Sequence, residues 1–313
     1  MDTIIQTPHV APTADVQPQP LTFREKLAAG RFVVNVEIDP PRRLVMPRRA
    51  LDGAALLKEA GVDAINVGDS PMARVHMSPL AMAVLLQREV GVETIVHYTT
   101  RDRNLIAIHS DLVGAHVLGL HNVLCLQGDP PSLGGYLDVV GVWDVTSVGL
   151  IRVLKLLNEG LDWTGEAIGN AASFFIGGAA NPNAESMESE LKLMRRKIEA
   201  GAQFFMTQVS YDPNRLDRFL ERATKLQIPI VVGILPLHSS RHADFLHEQV
   251  PGIQIPDETR ERMRRAGEGA MDEGMAVARD MLAAAKGRAQ GVYLVPSFGR
   301  YELTAELLAE ARG

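Results

Sequence analysis

A single (β/α)8 barrel is the fold this sequence predicts, and three observations lead to it. Eight apolar runs of strand length alternate with eight helical patterns along the 313 residues. Four of the joints, at Gly61, Gly91, Gly119 and Gly201, share one grammar: a helix end, a glycine, spacer residues and an apolar run. Neither GxGxxG nor GxxxxGK[ST] occurs, so a doubly wound nucleotide-binding sheet lacks support.

The start, "MDTIIQTPHVAPTADVQPQP", is rich in Pro, Gln and Thr and reads as a disordered tail over residues 1–20, with the barrel over 21–313. It has no basic start and no apolar h-region, so it is no secretory signal. The first strand, near 32–38, comes from "RFVVNVEIDPPRR". A two-residue repeat puts Val34, Val36 and Ile38 on one face, toward the helices, and Asn35, Glu37 and Asp39 on the other, toward the barrel axis. "ALDGAALLKEAG" then carries Leu51, Ala54, Ala55, Leu56 and Ala60 at helical spacing. Further strands are expected near 64–68, 94–99, 122–127, 172–178, 203–209, 229–235 and 291–297. Helices are expected near 48–60, 77–90, 102–118, 146–158, 185–200, 213–225, 239–248 and 300–311, with one extra helix over roughly 257–287 before the last strand.

Composition narrows the function. The chain is 46% hydrophobic and 22% charged, with a formal charge of −6, which argues against a nucleic-acid surface. No stretch of 18 apolar residues exists, so no membrane span is expected. The lone Cys125 lies in the apolar run "NVLCLQGD" and reads as a buried, inert thiol. With one cysteine no internal disulfide can form, and the expectation is a cytoplasmic protein. Histidines are scattered without HExxH, so no metal is expected, and there is no GxSxG serine elbow and no lysine on a predicted strand.

Chemistry in barrel enzymes gathers at the C-terminal ends of the strands. Here those ends carry Glu37, Asn66 and Asp69, His97 and Thr99, Gln127-Gly128-Asp129, Asn181 and Asn183, Thr207 and Gln208, His238 and Ser297. Any one could be a satisfied barrel polar group; so many converging on one rim predict a ligand site. Glu37 stands in an apolar wall, where loss of solvent raises a carboxyl pKa toward the range a general acid needs. Asp129 precedes a Pro-Pro turn and reads either as a turn residue capping backbone amides or as a fixed negative charge beside a cation or cofactor.

Read together, "VEIDPPR", "DAINVGDSP", "HYTTRDRN", "LQGDPP", "AANPN", "KIEAGAQFFMTQ", "GILPL" and "SFGRYEL" resemble, in order and spacing, the methylenetetrahydrofolate reductase family, most of all the reductase half of bacterial fusions with a homocysteine methyltransferase. The likeness covers about residues 22–311. It implies an FAD-bearing barrel that passes hydride from NADH or NADPH to 5,10-methylenetetrahydrofolate, giving 5-methyltetrahydrofolate in one-carbon and methionine metabolism. Glu37 then matches the acid that protonates the folate nitrogen, Asp129 the carboxylate near the flavin, and Gln208 a residue that hydrogen-bonds the substrate. Asn66 and Asp69 join the substrate set. His97 and Lys197 match flavin contacts, and Thr99, Gln127, Gly128, Asn181 and Asn183 complete the expected cofactor set.

Three positions depart from the family pattern. Gln127 stands where some members have arginine, Asn181 where others have an aromatic, and Ser240 where an aromatic commonly packs on the substrate ring. These departures keep two alternatives open: direct hydride transfer from the nicotinamide without flavin, or a folate- or flavin-binding subunit that acts beside a partner protein. The expected ligands are a reduced folate and a nicotinamide dinucleotide, with no nucleic acid and no membrane; a homo-oligomer or a partner subunit stays open.

Overall fold

The computed structural model describes residues 20–313, so most of the expected N-terminal tail lies outside the described residues. Eight parallel strands close into a barrel in sequence order. They are β1 (Val33–Ile38), β2 (Ala64–Val67), β3 (Thr94–Thr99), β4 (Asn122–Leu126), β5 (Phe175–Ala180), β6 (Phe204–Thr207), β7 (Ile230–Ile234) and β8 (Gly291–Leu294). The closing seam pairs Val33 with Gly291 and Asn35 with Tyr293, and the next seam pairs Glu37 with Asn66.

Around the barrel run α1 (Phe23–Ala28), α2 (Arg48–Glu59), α3 (Pro79–Leu85, continued by a π turn to Val90), α4 (Leu105–Val117), α5 (Ser147–Asn158) and α6 (Met187–Ala200). Then follow α7 (Pro213–Ala223), α8 (Ser240–Gln249), α9 (Asp257–Ala266), α10 (Ala270–Ala285) and α11 (Tyr301–Arg312). Val34, Val36 and Ile38 pack outward with the helices as the two-residue repeat predicts. Cys125 is fully buried there, and burial pushes its thiol pKa up, in keeping with an inert side chain.

The structure corrects the sequence reading in two places. The single extra helix expected over 257–287 is two helices, α9 and α10, parted by a short 3-10 turn at Gly267–Gly269. Their roles are also exchanged. Met275, Ala278, Met281, Leu282 and Ala285 of α10 join the main core, so α10 is the barrel helix between β7 and β8. Ala243 and Leu246 of α8 and Met263 of α9 belong to a separate cluster over the ends of β6 and β7, which makes the α8–α9 pair the insertion. Helical periodicity measures the width of an apolar face, and both segments have one; it cannot say which cluster that face joins.

A further helix, α1, plugs the bottom of the barrel. Its start was legible in a Thr22–Glu25 capping box, in which Thr22 Oγ1 accepts from Glu25 N at 3.3 Å and the Glu25 carboxylate accepts from Thr22 N at 2.8 Å. Phe23 is fully buried and meets Phe204 and Phe175 edge-on at 5.3 and 5.8 Å, while those two rings stack at 4.7 Å. Gly177 on β5 makes room for them, since a Cβ there would lie 2.4 Å from the Phe204 ring. The lower bore is therefore largely aromatic, with Asn122 and Glu93 tied to each other and to Phe23 N at its edge, and the unpartnered polar residues lie in the upper half.

Replacing Phe23 by alanine should open a cavity at the floor and cost roughly 3–5 kcal/mol. Chemical denaturation checks this; an unchanged midpoint would mean that α1 does not help close the barrel.

Candidate active site

Glu37 lies near the C-terminal end of β1, half-buried and beside Asn66 across the β1–β2 seam. Removal from water raises its pKa to about 8, and the nearby Asp39 carboxylate adds to the effect. Asp39 itself, two residues on, is exposed at the rim. Below and around Glu37 the bore is polar. Asn35 and Asn66 are fully buried, His97 nearly so, and neither amide of the asparagines nor His97 Nε2 has a hydrogen-bond partner. Burial pulls the His97 pKa down to about 4, against the pull of Asp69, so the imidazole is neutral. On β8, Tyr293 Oη donates to Thr207 O at 2.9 Å and stays protonated, because burial first and the Glu37 charge second push its pKa up. Unpartnered buried polar atoms are costly, so this set marks where water or a ligand belongs.

The remaining sequence-predicted residues lie around the rim, mostly with their polar atoms engaged. Asp69 Oδ2 accepts from Thr99 N at 2.9 Å, Thr99 Oγ1 at 2.8 Å and Arg103 Nη1 at 2.7 Å, which ties the ends of β2 and β3 together. Asp69 and Thr99 thus serve each other. Asp129 Oδ2 accepts from Met72 N at 3.0 Å, the amide-capping role foreseen for it, and its second carboxylate oxygen is left for another partner. Gly128 is required here: its φ is +85°, and a Cβ would lie 2.9 Å from Arg101 Cβ and 3.1 Å from Thr99 Cβ. Gln127 is exposed and its Oε1 accepts from Ser147 N at 3.2 Å, at the first turn of α5.

On the β5–β6 side, Asn181 Oδ1 accepts from Asn183 N at 2.9 Å. The buried Asn183 Nδ2 donates to Val209 O at 2.8 Å and Gly252 O at 3.0 Å. Gln208 Nε2 reaches Pro251 O at 3.4 Å, so the loop after α8 folds onto this edge of the mouth. Lys197 is buried behind β5, where Nζ donates to Ala179 O at 2.5 Å, and burial lowers its pKa. The structure brings Glu37, Asn66 and His97 together on β1–β3, sets Asp129 after β4 and Gln208 after β6, two strands further round the rim, and keeps Lys197 behind β5.

These contacts test whether the residues suit FAD. A flavin dinucleotide needs donors, above all a cation, for its diphosphate. The cations on the β3–β6 side are taken: Arg101 by Asp102 at 2.6 Å, Arg103 by Asp69 and Asp111, Lys197 by Ala179 O, and Arg215 by the carbonyls of Pro182, Asn183 and Ala184. Of the expected cofactor set, His97 Nε2, Asn183 Oδ1 and the second oxygen of Asp129 have no hydrogen-bond partner among the described residues, and none of the three is a cation. The β3–β6 side of the mouth as folded therefore keeps no free cation for the diphosphate. Among the described residues no group of three His, Cys, Asp or Glu side chains could hold a metal ion, and no helix is long and apolar enough to cross a membrane.

Sequence reasoning missed a second wall of the mouth. A cavity of about 350 Å³ opens beside Glu37 between the β1–α2 and β8–α11 loops, lined among others by Asp39, Met46, Arg48, Arg49 and Phe298. The signal was present in "PPRRLVMPRR", four arginines around an apolar tip.

Comparison with known proteins agrees with this architecture. A family model described as methylenetetrahydrofolate reductase matches residues 22–309. Methylenetetrahydrofolate reductase (NADH) 1 of Arabidopsis thaliana is 29% identical over 188 residues, which are 55% of this chain and 30% of that protein. The 5,10-methylenetetrahydrofolate reductase of Pectobacterium carotovorum is 27% identical over 220 residues, 66% of this chain and 65% of that protein. The matched segments span about a third of the eukaryotic relatives' length. Among solved structures, a Clostridium thermocellum protein that binds two copies of 5-methyl-5,6,7,8-tetrahydrofolic acid superposes with a TM-score of 0.63 at 14% identity, covering 91% of this chain and 96% of that one. At that identity the likeness is one of fold.

The raised Glu37 pKa has a signature in stability. Below its ordinary pKa of 4.5 both folded and unfolded chains hold the proton; from there to about pH 8 only the folded chain does, so stability falls as pH rises and then levels off. Glu37→Gln should therefore be more stable than the parent at pH 8, by on the order of a few kcal/mol, with the gain vanishing near pH 4. Parallel denaturant titrations at the two pH values would show it, and an equal offset at both would remove the pKa shift.

Proposed function

The chain belongs to the methylenetetrahydrofolate reductase family, and from that premise we propose that it reduces 5,10-methylenetetrahydrofolate to 5-methyltetrahydrofolate with hydride from NADH or NADPH. The observation that supports this most is Glu37, a carboxylic acid that keeps its proton to about pH 8 at the catalytic end of the barrel. The substrate carries a CH2 bridge between two nitrogens. Glu37 gives its proton to one of them, that C–N bond breaks, and the CH2 is left as an iminium on the other nitrogen. Hydride then adds to the iminium carbon with its electron pair, making the methyl group, and the dinucleotide leaves oxidised. Glu37 regains its proton from solvent.

The neighbours suit these demands. Asp129 carries a negative charge at the rim, where it would favour the cationic iminium. Gln208, at the far edge, can hold a pterin-like amide edge. The unpartnered amides of Asn35 and Asn66 and His97 Nε2 offer donors and acceptors to a flat heterocycle lowered into the mouth.

The hydride has two routes in this reading, a flavin relay and direct transfer from the nicotinamide. The family resemblance and the free His97 Nε2 beneath the mouth support the relay. The committed rim cations do not separate the two, because FAD and the nicotinamide dinucleotide both carry a diphosphate. The visible spectrum of the purified protein separates them. Flavin bands that bleach with NADH and recover with methylenetetrahydrofolate would establish the relay, whereas a colourless protein that turns over would establish direct transfer. Absence of any methylenetetrahydrofolate turnover, with or without added FAD, would refute the proposed activity.

Glu37→Gln should bind folate and dinucleotide yet lose about 10²–10⁴ of turnover, the usual contribution of a general acid. In the parent, kcat/KM should fall as pH rises through about 8, and that limb should be absent in the variant. Asp129→Asn keeps an acceptor for Met72 N but removes the charge, and should slow folate reduction by about tenfold; normal rates would leave Asp129 a turn residue only.

A further inference from the structure

We propose that Asn35 is a positioning residue for Glu37, acting through ordered water held in the layer of the bore directly beneath that carboxyl. This role rests on the reading of the protein as a folate reductase and adds how its acid is aimed.

The bore changes character within four residues of β1. Val34 and Val36 pack outward, as do Ile65 and Val67 of β2 and Val96 and Tyr98 of β3, so the residues between them point in. Val33 belongs to the aromatic floor, with Ala64 and Ile95 of the next two strands. Glu37 reaches the mouth. Asn35 lies between the two levels, about 6.6 Å of strand from each. It is fully buried, and so is Asn66, and neither atom of either amide has a partner. His97 Nε2 is the fifth such atom. Three neighbouring strands thus turn five unpartnered donors and acceptors toward one layer, directly above a layer that is apolar.

The register supplies the far wall. Asn35 is paired with Ala64 on one side and Tyr293 on the other, and Glu37 with Asn66. The Tyr293 ring crosses the bore to donate from Oη to Thr207 O at 2.9 Å. It passes Gly233, where a Cβ would lie 2.8 Å from the ring. Its oxygen keeps lone pairs for a further donor. A buried water needs two to four polar partners, and Asn35, Asn66, His97 Nε2 and Tyr293 Oη provide them. Asn35, the deepest, can reach a heterocycle in the mouth only through what lies between. Without water its amide would only cost stability, and an apolar side chain would serve that layer as Val33, Ala64 and Ile95 serve the one below.

A carboxyl group has two oxygens and one proton. Water anchored on Asn35 donates to the lower oxygen, so the proton stands on the upper one, facing the substrate nitrogen. As that nitrogen takes the proton, the same hydrogen bond meets the charge left on the carboxylate. The titratable groups around Glu37 are Asp39 on its own chain, His97 from β3 with Asp69 beside it, and Tyr293 from β8. Burial keeps the imidazole neutral and the phenol protonated, so the alkaline limb of the rate profile reports the Glu37–Asp39 pair.

Two measurements test this role. A high-resolution crystal structure of the parent should show ordered water within hydrogen-bonding reach of both the Asn35 amide and a Glu37 oxygen. In kinetics, Asn35→Leu fills the layer with carbon and should lower kcat by about tenfold, with the folate KM within about twofold. Its alkaline limb should stand above pH 8, since a carboxylate that loses a donor holds its proton more tightly. Asn35→Ser keeps an anchor and room for water, and should restore most of the rate. A side chain needed for shape alone would show the reverse order, with leucine tolerated better than serine, and that order overturns the proposal. Equal losses in both variants with an unmoved limb overturn it too. A parent crystal with no water at Asn35 overturns it whatever the rates, and decides the matter if Asn35→Leu does not fold. A parent that turns over no methylenetetrahydrofolate removes the reductase reading and the positioning role together, even where water is seen at Asn35.

Discussion

Closure of β1 onto β8 is the constraint on which the rest depends. Parallel strands leave no free edge only when the last meets the first, and here the seam is drawn tight by Gly291, whose Cβ position would fall 2.3 Å from Val33 O. Closure sets the bore, and the bore decides what each inward side chain can be. It also carries Glu37 from one end of the sequence to the side of Tyr293 at the other, and brings the loops after β1 and β8 face to face. The cavity beside Glu37 exists because residues some 250 positions apart became neighbours, as the Arg49 contacts to Gly299 illustrate.

Within that bore the division of labour is vertical. The floor is filled by Phe23, Phe175 and Phe204, which exclude water and supply the apolar contact that holds the barrel shut. The upper half gives up that contribution, keeping Asn35, Asn66 and His97 unpartnered instead. A carboxyl group set above a dry floor and among neutral polar groups cannot be charged cheaply, which is why Glu37 keeps its proton. Stability is concentrated at one end and chemistry at the other, as the barrel architecture allows.

Most of this division was legible in the sequence. The alternation of Val34, Val36 and Ile38 with Asn35 and Glu37 placed the first strand and its inward face, because a period of two is a geometric fact of strands. Glu37, Asn66 and His97 converge as expected from their shared address at strand ends. The cofactor set was less legible, since residues at one rim can satisfy each other: Asp69 with Thr99, Asn181 with Asn183, Gln127 with a helix amide. A sequence shows that a side chain can donate or accept, not whether a neighbour has already used it. Where Lys197 lies was hidden for a related reason, as helical position does not say whether a long side chain points to the mouth or, as here, reaches the backbone of β5. The exchange of roles between α8 and α10 likewise depends on which layer an apolar face meets.

The pin at the barrel's lower end has a consequence for how such a unit can be joined to others. Asp63 accepts from Val34 N at 2.7 Å and pairs with Lys26 of α1 at 2.9 Å and Arg312 of α11 at 2.6 Å, so the first and last helices are both anchored at the face opposite the mouth. The described chain therefore begins and ends beside that lower face. A neighbouring module could therefore be gained, lost or exchanged without a linker crossing the opening through which substrate arrives. The architecture makes the barrel a portable part, with its attachment points and its working surface on opposite poles.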